Sequence, residues 1–140
     1  MIRPSAGERA YLALLFGGLW IAAGALGAGL ASSNLAGLVG GALGGYLACY
    51  FRTKNVSVQR DGELLVVHNV YAVRRLRVGP NDWLGTQDAG GRWGSTFAGW
   101  QTEDGKRYVI HALRLGYFDS ALAEQRLRAA AVELSVNERP

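Results

Sequence analysis

Between Tyr11 and Phe51 the chain has no Asp, Glu, Lys, Arg or His, a run of 41 residues. A stretch this long and this poor in charge is excluded as a solvated loop or linker. Cysteine is almost absent as well: the single Cys49 lies inside that run, which excludes an intramolecular disulfide and argues against a cysteine metal cluster. Its thiol is consistent with a reduced compartment or with burial in lipid. Histidine is limited to His68 and His111. A strong excess of positive charge is missing too. Residues 52–140 carry 13 Lys or Arg against 10 Asp or Glu, a net +3. That is far from the clustered charge needed to neutralise many phosphates, so no nucleic-acid partner is expected. The mean hydropathy of +0.06 therefore averages two very different segments.

The uncharged run reads as a transmembrane helical hairpin. Residues 11–31 are 21 uncharged residues, which as one helix reach about 32 Å, enough for a hydrocarbon core of about 30 Å. Ser32, Ser33 and Asn34 form a polar cluster suited to a tight turn. Residues 35–51 follow, 17 residues, or about 26 Å, at the short end of the spanning range. Tyr46, Tyr50 and Phe51 lie at the end of this second segment, where aromatic rings favour the membrane interface. Gly37, Gly41 and Gly45 recur every fourth residue and share one helix face. Such a face lets another backbone approach closely, and Ala23, Gly27 and Ala31 supply small residues at the same spacing in the first segment. Packing within the hairpin and dimerisation are both compatible with this pattern.

Arg3 and Arg9 precede the first segment, Arg52 and Lys54 follow the second, and the turn carries no charge. The positive-inside bias then places both termini on the cytoplasmic side of the inner membrane. In this reading residues 1–10 are a cytoplasmic tail and residues 136–140 a second one. A rival reading takes residues 1–31 as a cleaved signal peptide, with a basic start and small residues near Ala31. Its apolar run exceeds the usual length of such a segment, and a second apolar run begins just after it.

From Asn55 the hydrophobic period changes to two. Val56 and Val58 alternate with Ser57 and Gln59, a half-buried strand. Asp61-Gly62 suggests a hairpin into residues 63–69. Arg74-Arg75-Leu76-Arg77-Val78 reads as a basic strand stopped by Gly79-Pro80-Asn81-Asp82. Residues 83–95 read as a looser stretch with a loop at Asp88-Ala89-Gly90-Gly91. A second hairpin joins residues 96–102 to 106–113 through Glu103-Asp104-Gly105, with Trp100 and Tyr108 as large apolar side chains. Residues 118–134 read as a helix capped by Asp119 or Ser120, with Leu122, Ala123, Leu127, Ala130, Ala131 and Leu134 on one stripe. The expected domain, residues 52–135, is a small antiparallel β-barrel or sandwich with a C-terminal helix.

A membrane hairpin ahead of this outline resembles the membrane-anchored bacterial pleckstrin-homology (PH) domain proteins of actinobacteria, and among them the low-molecular-weight protein antigen type. Those chains leave the hairpin through an aromatic residue and an Arg and enter a first hairpin with Asp-Gly. They then carry Arg-Asn, four residues, and Arg-Arg-Ile-Pro-Trp, followed later by an Asp-Gly-Arg-Arg hairpin and a Leu-Arg. The matching residues are Phe51-Arg52, Asp61-Gly62, Asn69, Arg74-Arg75-Leu76, Asp104-Gly105-Lys106-Arg107 and Ala112-Leu113-Arg114. The likeness covers residues 50–116 and departs from the pattern at His68 and at Arg77-Val78. It implies a PH-like α+β fold and a role without catalysis, and it assigns no ligand.

Nucleophilic catalysis requires a Ser or Cys near a His held by an acid, and no such arrangement is legible. His68 and His111 sit in apolar strand patterns and read as structural. Gly40-Gly41 and Gly44-Gly45 fall in the membrane segment, and Gly90-Gly91 lacks the Lys-Ser/Thr of a phosphate loop. The expectation is a protein that is not an enzyme and uses no cofactor or metal. Candidate lipid- or partner-binding residues are Arg52, Lys54, Arg74, Arg75 and Arg77, with Arg60 beside them in sequence, because anionic headgroups attract such side chains. Ordinary solvated strand faces and inside-positive anchors explain the same residues. Trp83, Trp93 and Trp100 are candidate exposed anchors for a protein partner, with core packing the competing reading for each. The functional expectation is a membrane-anchored interaction module or scaffold. Anionic-lipid binding and service as an accessory subunit are the alternatives, and the expected partners are membrane lipids with a protein partner or a second copy.

Overall fold

The computed structural model describes residues 1–32, 34–88, 96–116 and 120–138. They belong to two compact units, Ser5–Asn55 and Met1–Pro4 together with Val56–Pro140. The first unit is helical: α1 (Ala6–Phe16), α2 (Gly18–Ser32) and α3 (Leu35–Thr53). The single helix expected over residues 11–31 is instead two. They meet at Gly17 with their axes bent by 66°, and Gly17 ends α1 with φ −86° and ψ −3°. The Gly17-Gly18 pair brings no side chain to hold the next turn in line, a recognised cause of sharp kinks. No single helix among the described residues is long and apolar enough to cross a membrane, whereas α1 and α2 together could by length and composition.

Helix α1 also begins earlier than expected, inside residues assigned to a tail. Its start is a capping box. Ser5 Oγ accepts from the Glu8 N–H at 3.3 Å, and Glu8 Oε2 accepts from the Ser5 N–H at 2.8 Å. At the turn, Asn34 Oδ1 accepts from Gly37 N–H at 2.8 Å and caps α3. Ser33 lies outside the described residues.

Helices α2 and α3 pack backbone to backbone. A Cβ placed on Gly41 would strike the Gly24 carbonyl and the Ala28 methyl. One on Gly45 would strike the Trp20 carbonyl, and one on Gly37 would strike Ser32 and the Ala28 carbonyl. Gly37, Gly41 and Gly45 thus lie against Trp20, Gly24, Ala28 and Ser32. The expected partners Ala23, Gly27 and Ala31 are displaced by one position, which on a helix is about 100° of rotation. Gly27 has open space where its side chain would be.

The second unit is a small α+β domain. β1 (Ser57–Asp61), β2 (Leu64–His68) and β3 (Val73–Arg77) form one antiparallel sheet in that order. β4 (Trp83–Asp88), β5 (Thr96–Gln101), β6 (Arg107–Gly116) and β7 (Asn137–Glu138) form the other, in the order β6-β5-β4-β7. Among the described residues the two sheets do not close into a barrel. The first hairpin turns on Gly62 and Glu63, one residue later than Asp61-Gly62, with Asp61 paired to Leu64 and Gly62 at φ +59°. The second turns at Glu103-Asp104-Gly105 as expected, with Gly105 at φ +80° and Gly105 N–H donating to Thr102 O at 2.9 Å.

β4 occupies the stretch expected to be loose. Its sequence has few strand-forming residues, and its pairing to β5 on one side and in parallel to β7 on the other holds it extended. The Trp83 ring lies over Gly85, where any side chain would collide with it. The loop at residues 89–91 lies outside the described residues. The terminal tail is also shorter than expected, because residues 137–138 form β7.

Helix α4 (Ser120–Leu134) buries Leu127, Ala130, Ala131 and Leu134, while Leu122 is exposed. Phe118 and Asp119 lie outside the described residues. Ser135, at φ +51°, ends the helix in the left-handed region, with Val136 N–H donating to Ala131 O and Ser135 N–H to Val132 O. That pair of bonds is a Schellman cap, built on serine where glycine is usual. The core of the unit is Val56, Val58, Leu65, Val67, Leu84, Phe97, Trp100, Ile110 and Leu115 together with the buried face of α4. The first residues of the chain join it: Ile2 N–H donates to Val58 O at 2.8 Å and Val58 N–H to Ile2 O at 3.0 Å.

Candidate functional site

The basic candidates divide between the units. Arg52 and Lys54 end α3 in the helical unit, where the Lys54 ammonium stands 4.4 Å from the centre of the Phe51 ring. Arg74, Arg75 and Arg77 lie on β3 of the other. The register pairs Arg77 with Leu64, Arg75 with Val66 and Arg74 with Val67. Because strand side chains alternate, Arg74 and Leu76 share the face of the buried Leu65 and Val67. Arg75, Arg77 and Val73 share the opposite face. Arg74 stands 6.0 Å from the Tyr108 ring centre. Arg77 pairs with Glu63 at 3.2 Å, but both side chains are more than three-quarters exposed, so the pair adds little stability. Arg74 and Arg75 have no carboxylate partner among the described residues.

Arg60 is exposed but engaged with backbone carbonyls of its own unit. Its Nε donates to Gly62 O at 2.9 Å, and its Nη1 reaches the carbonyls of Leu134 and Ser135. A guanidinium on the last carbonyls of α4 satisfies groups the helix leaves open and sits at the negative end of its dipole.

Neither of the two described tryptophan candidates is exposed. Trp100 is 0% exposed and Trp83 is half-buried, and Trp93 lies outside the described residues. Trp100 pairs with Leu84 and with Tyr108 in the four-stranded sheet. Burial of this ring in the core accounts for its place in the second hairpin.

A polar link between the sheets is the feature that residue patterns did not isolate. β6 is irregular where Phe97 pairs with Arg114 but Ala98 pairs with Ile110, so residues 111–113 bulge. Asn69 meets the strand there. Its Nδ2 donates to Val109 O at 2.7 Å, and its Oδ1 accepts from His111 N–H at 2.9 Å. One carboxamide thus replaces a strand partner for two backbone groups. His68 pairs with Ser57 and Val73 in the three-stranded sheet. His111 accepts from Val70 N–H through Nδ1 at 3.4 Å, and its ring lies 5.7 Å from Phe97.

Burial lowers the His111 pKa from 6.5 to about 4. The folded chain therefore resists a proton that the unfolded chain accepts below pH 6.5. Stability contributed by neutral His111 is complete above pH 6.5 and is lost as pH falls toward 4, at most on the order of 3 kcal/mol. Thermal midpoints in detergent should fall across this window, and His111→Gln should flatten the fall. An identical pH profile for both proteins would remove His111 as the cause. At the second hairpin, the hydrogen bonds from Lys106 and Thr102 hold Asp104 down to about 2.

Comparison with protein-family models, curated proteins and solved structures finds no match. Among the described residues there is no group of three or more His, Cys, Asp or Glu placed to hold a metal ion. The described residues present an exposed basic strand on one unit and exposed apolar helical side chains on the other.

Proposed function

We propose that the chain is a membrane-anchored interaction module without catalytic activity, whose helical hairpin sits in the inner membrane and holds a PH-like domain at the cytoplasmic face. The observation that carries this reading is where the apolar side chains of the hairpin point. Leu19 is 85% exposed and Leu30 82%, and Leu26, Leu35, Val39 and Leu43 are each more than half exposed. They lie in a segment without one charged residue. Large contiguous apolar surface is costly in water and unremarkable in lipid.

Both ends of the hairpin lead into the same unit, since Ile2 pairs with Val58. A bilayer crossed by the two legs therefore has both termini on one side. Arg3, Arg9, Arg52 and Lys54 at those ends favour the cytoplasmic side. Two sheets, antiparallel except for the β4-β7 pair, together with a helix near the C-terminus support the PH-like reading that the family resemblance implies. Alkaline carbonate treatment of membranes from expressing cells is the direct test. The chain should stay in the pellet, and release into the supernatant would contradict an embedded hairpin. Anionic-lipid binding is the second reading, favoured by the absence of carboxylate partners at Arg74 and Arg75 among the described residues.

A further inference from the structure

We propose that the open edge of β3 binds an extended acidic segment of a partner protein, which adds to the β1-β2-β3 sheet as a fourth strand. This rests on reading the domain as an interaction module and specifies its partner. β3 ends the order β1-β2-β3, so one side of its backbone pairs with no strand among the described residues. Which groups face out follows from two hydrogen bonds. Val78 N–H donates to Glu63 O at 2.8 Å, and Asn69 N–H donates to Ala72 O at 2.8 Å. Residues 72 and 78 therefore face β2, as do 74 and 76 by alternation. The N–H and C=O groups of Val73, Arg75 and Arg77 point away from the sheet. They meet no partner among the described residues, and Val73 is 60% exposed. An edge of this kind is a template for another strand.

The side chains choose the occupant. A second copy pairing β3 with β3 would set arginines opposite arginines, which destabilises a ladder. An incoming strand with Glu or Asp at alternate positions instead meets Arg75 and Arg77 across one face. On the other face, apolar residues of that strand meet Leu76 and the aliphatic part of Arg74. A lipid headgroup could meet the guanidinium groups but would not extend the sheet, leaving the row of backbone donors and acceptors unpaired. The observations therefore favour a peptide over a membrane surface.

The test uses the full chain in nanodiscs of zwitterionic lipid and in detergent micelles, with acetyl-Thr-Glu-Val-Glu-Val-Glu-Thr-amide as the probe. Saturable binding should appear in both media, with hydrogen exchange slowed at the amides of Val73, Arg75 and Arg77. Methylating the probe at alternate backbone nitrogens on its pairing edge should abolish binding without changing its charge. Arg75→Gln should weaken binding by up to about fivefold, the worth of one cross-strand charge pair. Arg75→Pro should eliminate it while β2 keeps its exchange protection, because only an outward N–H is removed. No binding to a folded chain, or equal binding of the methylated probe, overturns the proposal. So does protection of β3 amides by phosphatidylglycerol nanodiscs with none from the probe. Failure to enter nanodiscs with binding intact in micelles counts against the membrane anchor alone.

Discussion

Gly41→Leu should separate α2 from α3, whereas Gly40→Leu should leave them packed. The two glycines are neighbours in sequence but opposite in environment. Any Cβ on Gly41 meets the Gly24 carbonyl, while Gly40 has nothing within 4 Å. The obstacle at Gly41 is backbone, which cannot rotate away as a flexible side chain would. Overpacking of this kind costs about 3 kcal/mol when the helices must move apart. Spin labels at Leu26 and Leu43, both exposed, in a Cys49→Ala background measure the separation in detergent. Gly41→Leu should lengthen and broaden the distance distribution, and Gly40→Leu should reproduce that of the parent. Equal distributions for all three proteins would mean that close approach at Gly41 does not hold the hairpin together.

Asn69→Leu should be among the most damaging changes in the α+β domain. It keeps the bulk and removes both hydrogen bonds to β6 at once, leaving Val109 O and His111 N–H without the partner that now serves them. Each orphaned group costs roughly 1–3 kcal/mol, so a total of about 3 kcal/mol is expected. For a domain of this size that lowers the thermal midpoint by more than about 10 °C. Asn69→Asp tests the geometry separately, since a carboxylate still accepts from His111 N–H but cannot donate to Val109 O. Its midpoint should fall between those of the parent and the leucine variant. A leucine variant as stable as the parent would show that the carboxamide is not what joins the sheets.

Local signals brought much of this structure into view. Alternation at residues 56–59, the apolar run at 64–67, the glycine at each hairpin and the apolar stripe of α4 are written in adjacent residues. The start of α1 was equally available, in the Ser5-x-x-Glu8 spacing of a capping box. Other features depend on contacts far apart in sequence. The face of α2 that meets α3 depends on where the kink at Gly17 sets the rotation of the helix, and small residues are too frequent there to mark one face. β4 is extended because β5 and β7 flank it, and no period in Trp83–Asp88 announces that. Charge alone could not divide the arginines. Arg60 closes a helix 74 residues away, at Leu134, while Arg75 stands on an open edge. Asn69 was visible only as one member of a family pattern, since nothing local signals a side chain that bonds the backbone 40 residues further on.

Single-cysteine labelling with a membrane-impermeant maleimide in intact cells tests most directly whether the hairpin crosses the membrane as proposed, using Cys49→Ala as background. A cysteine at Asn34, in the turn, should react from outside without permeabilisation, while one at Asn137 should react only after it. Labelling of the Asn34 position solely after permeabilisation would mean that the helices enter the membrane without crossing it, or stay on the inner side altogether. Labelling of the Asn137 position in intact cells would place the α+β domain outside, and the cytoplasmic module proposed for this chain would be wrong.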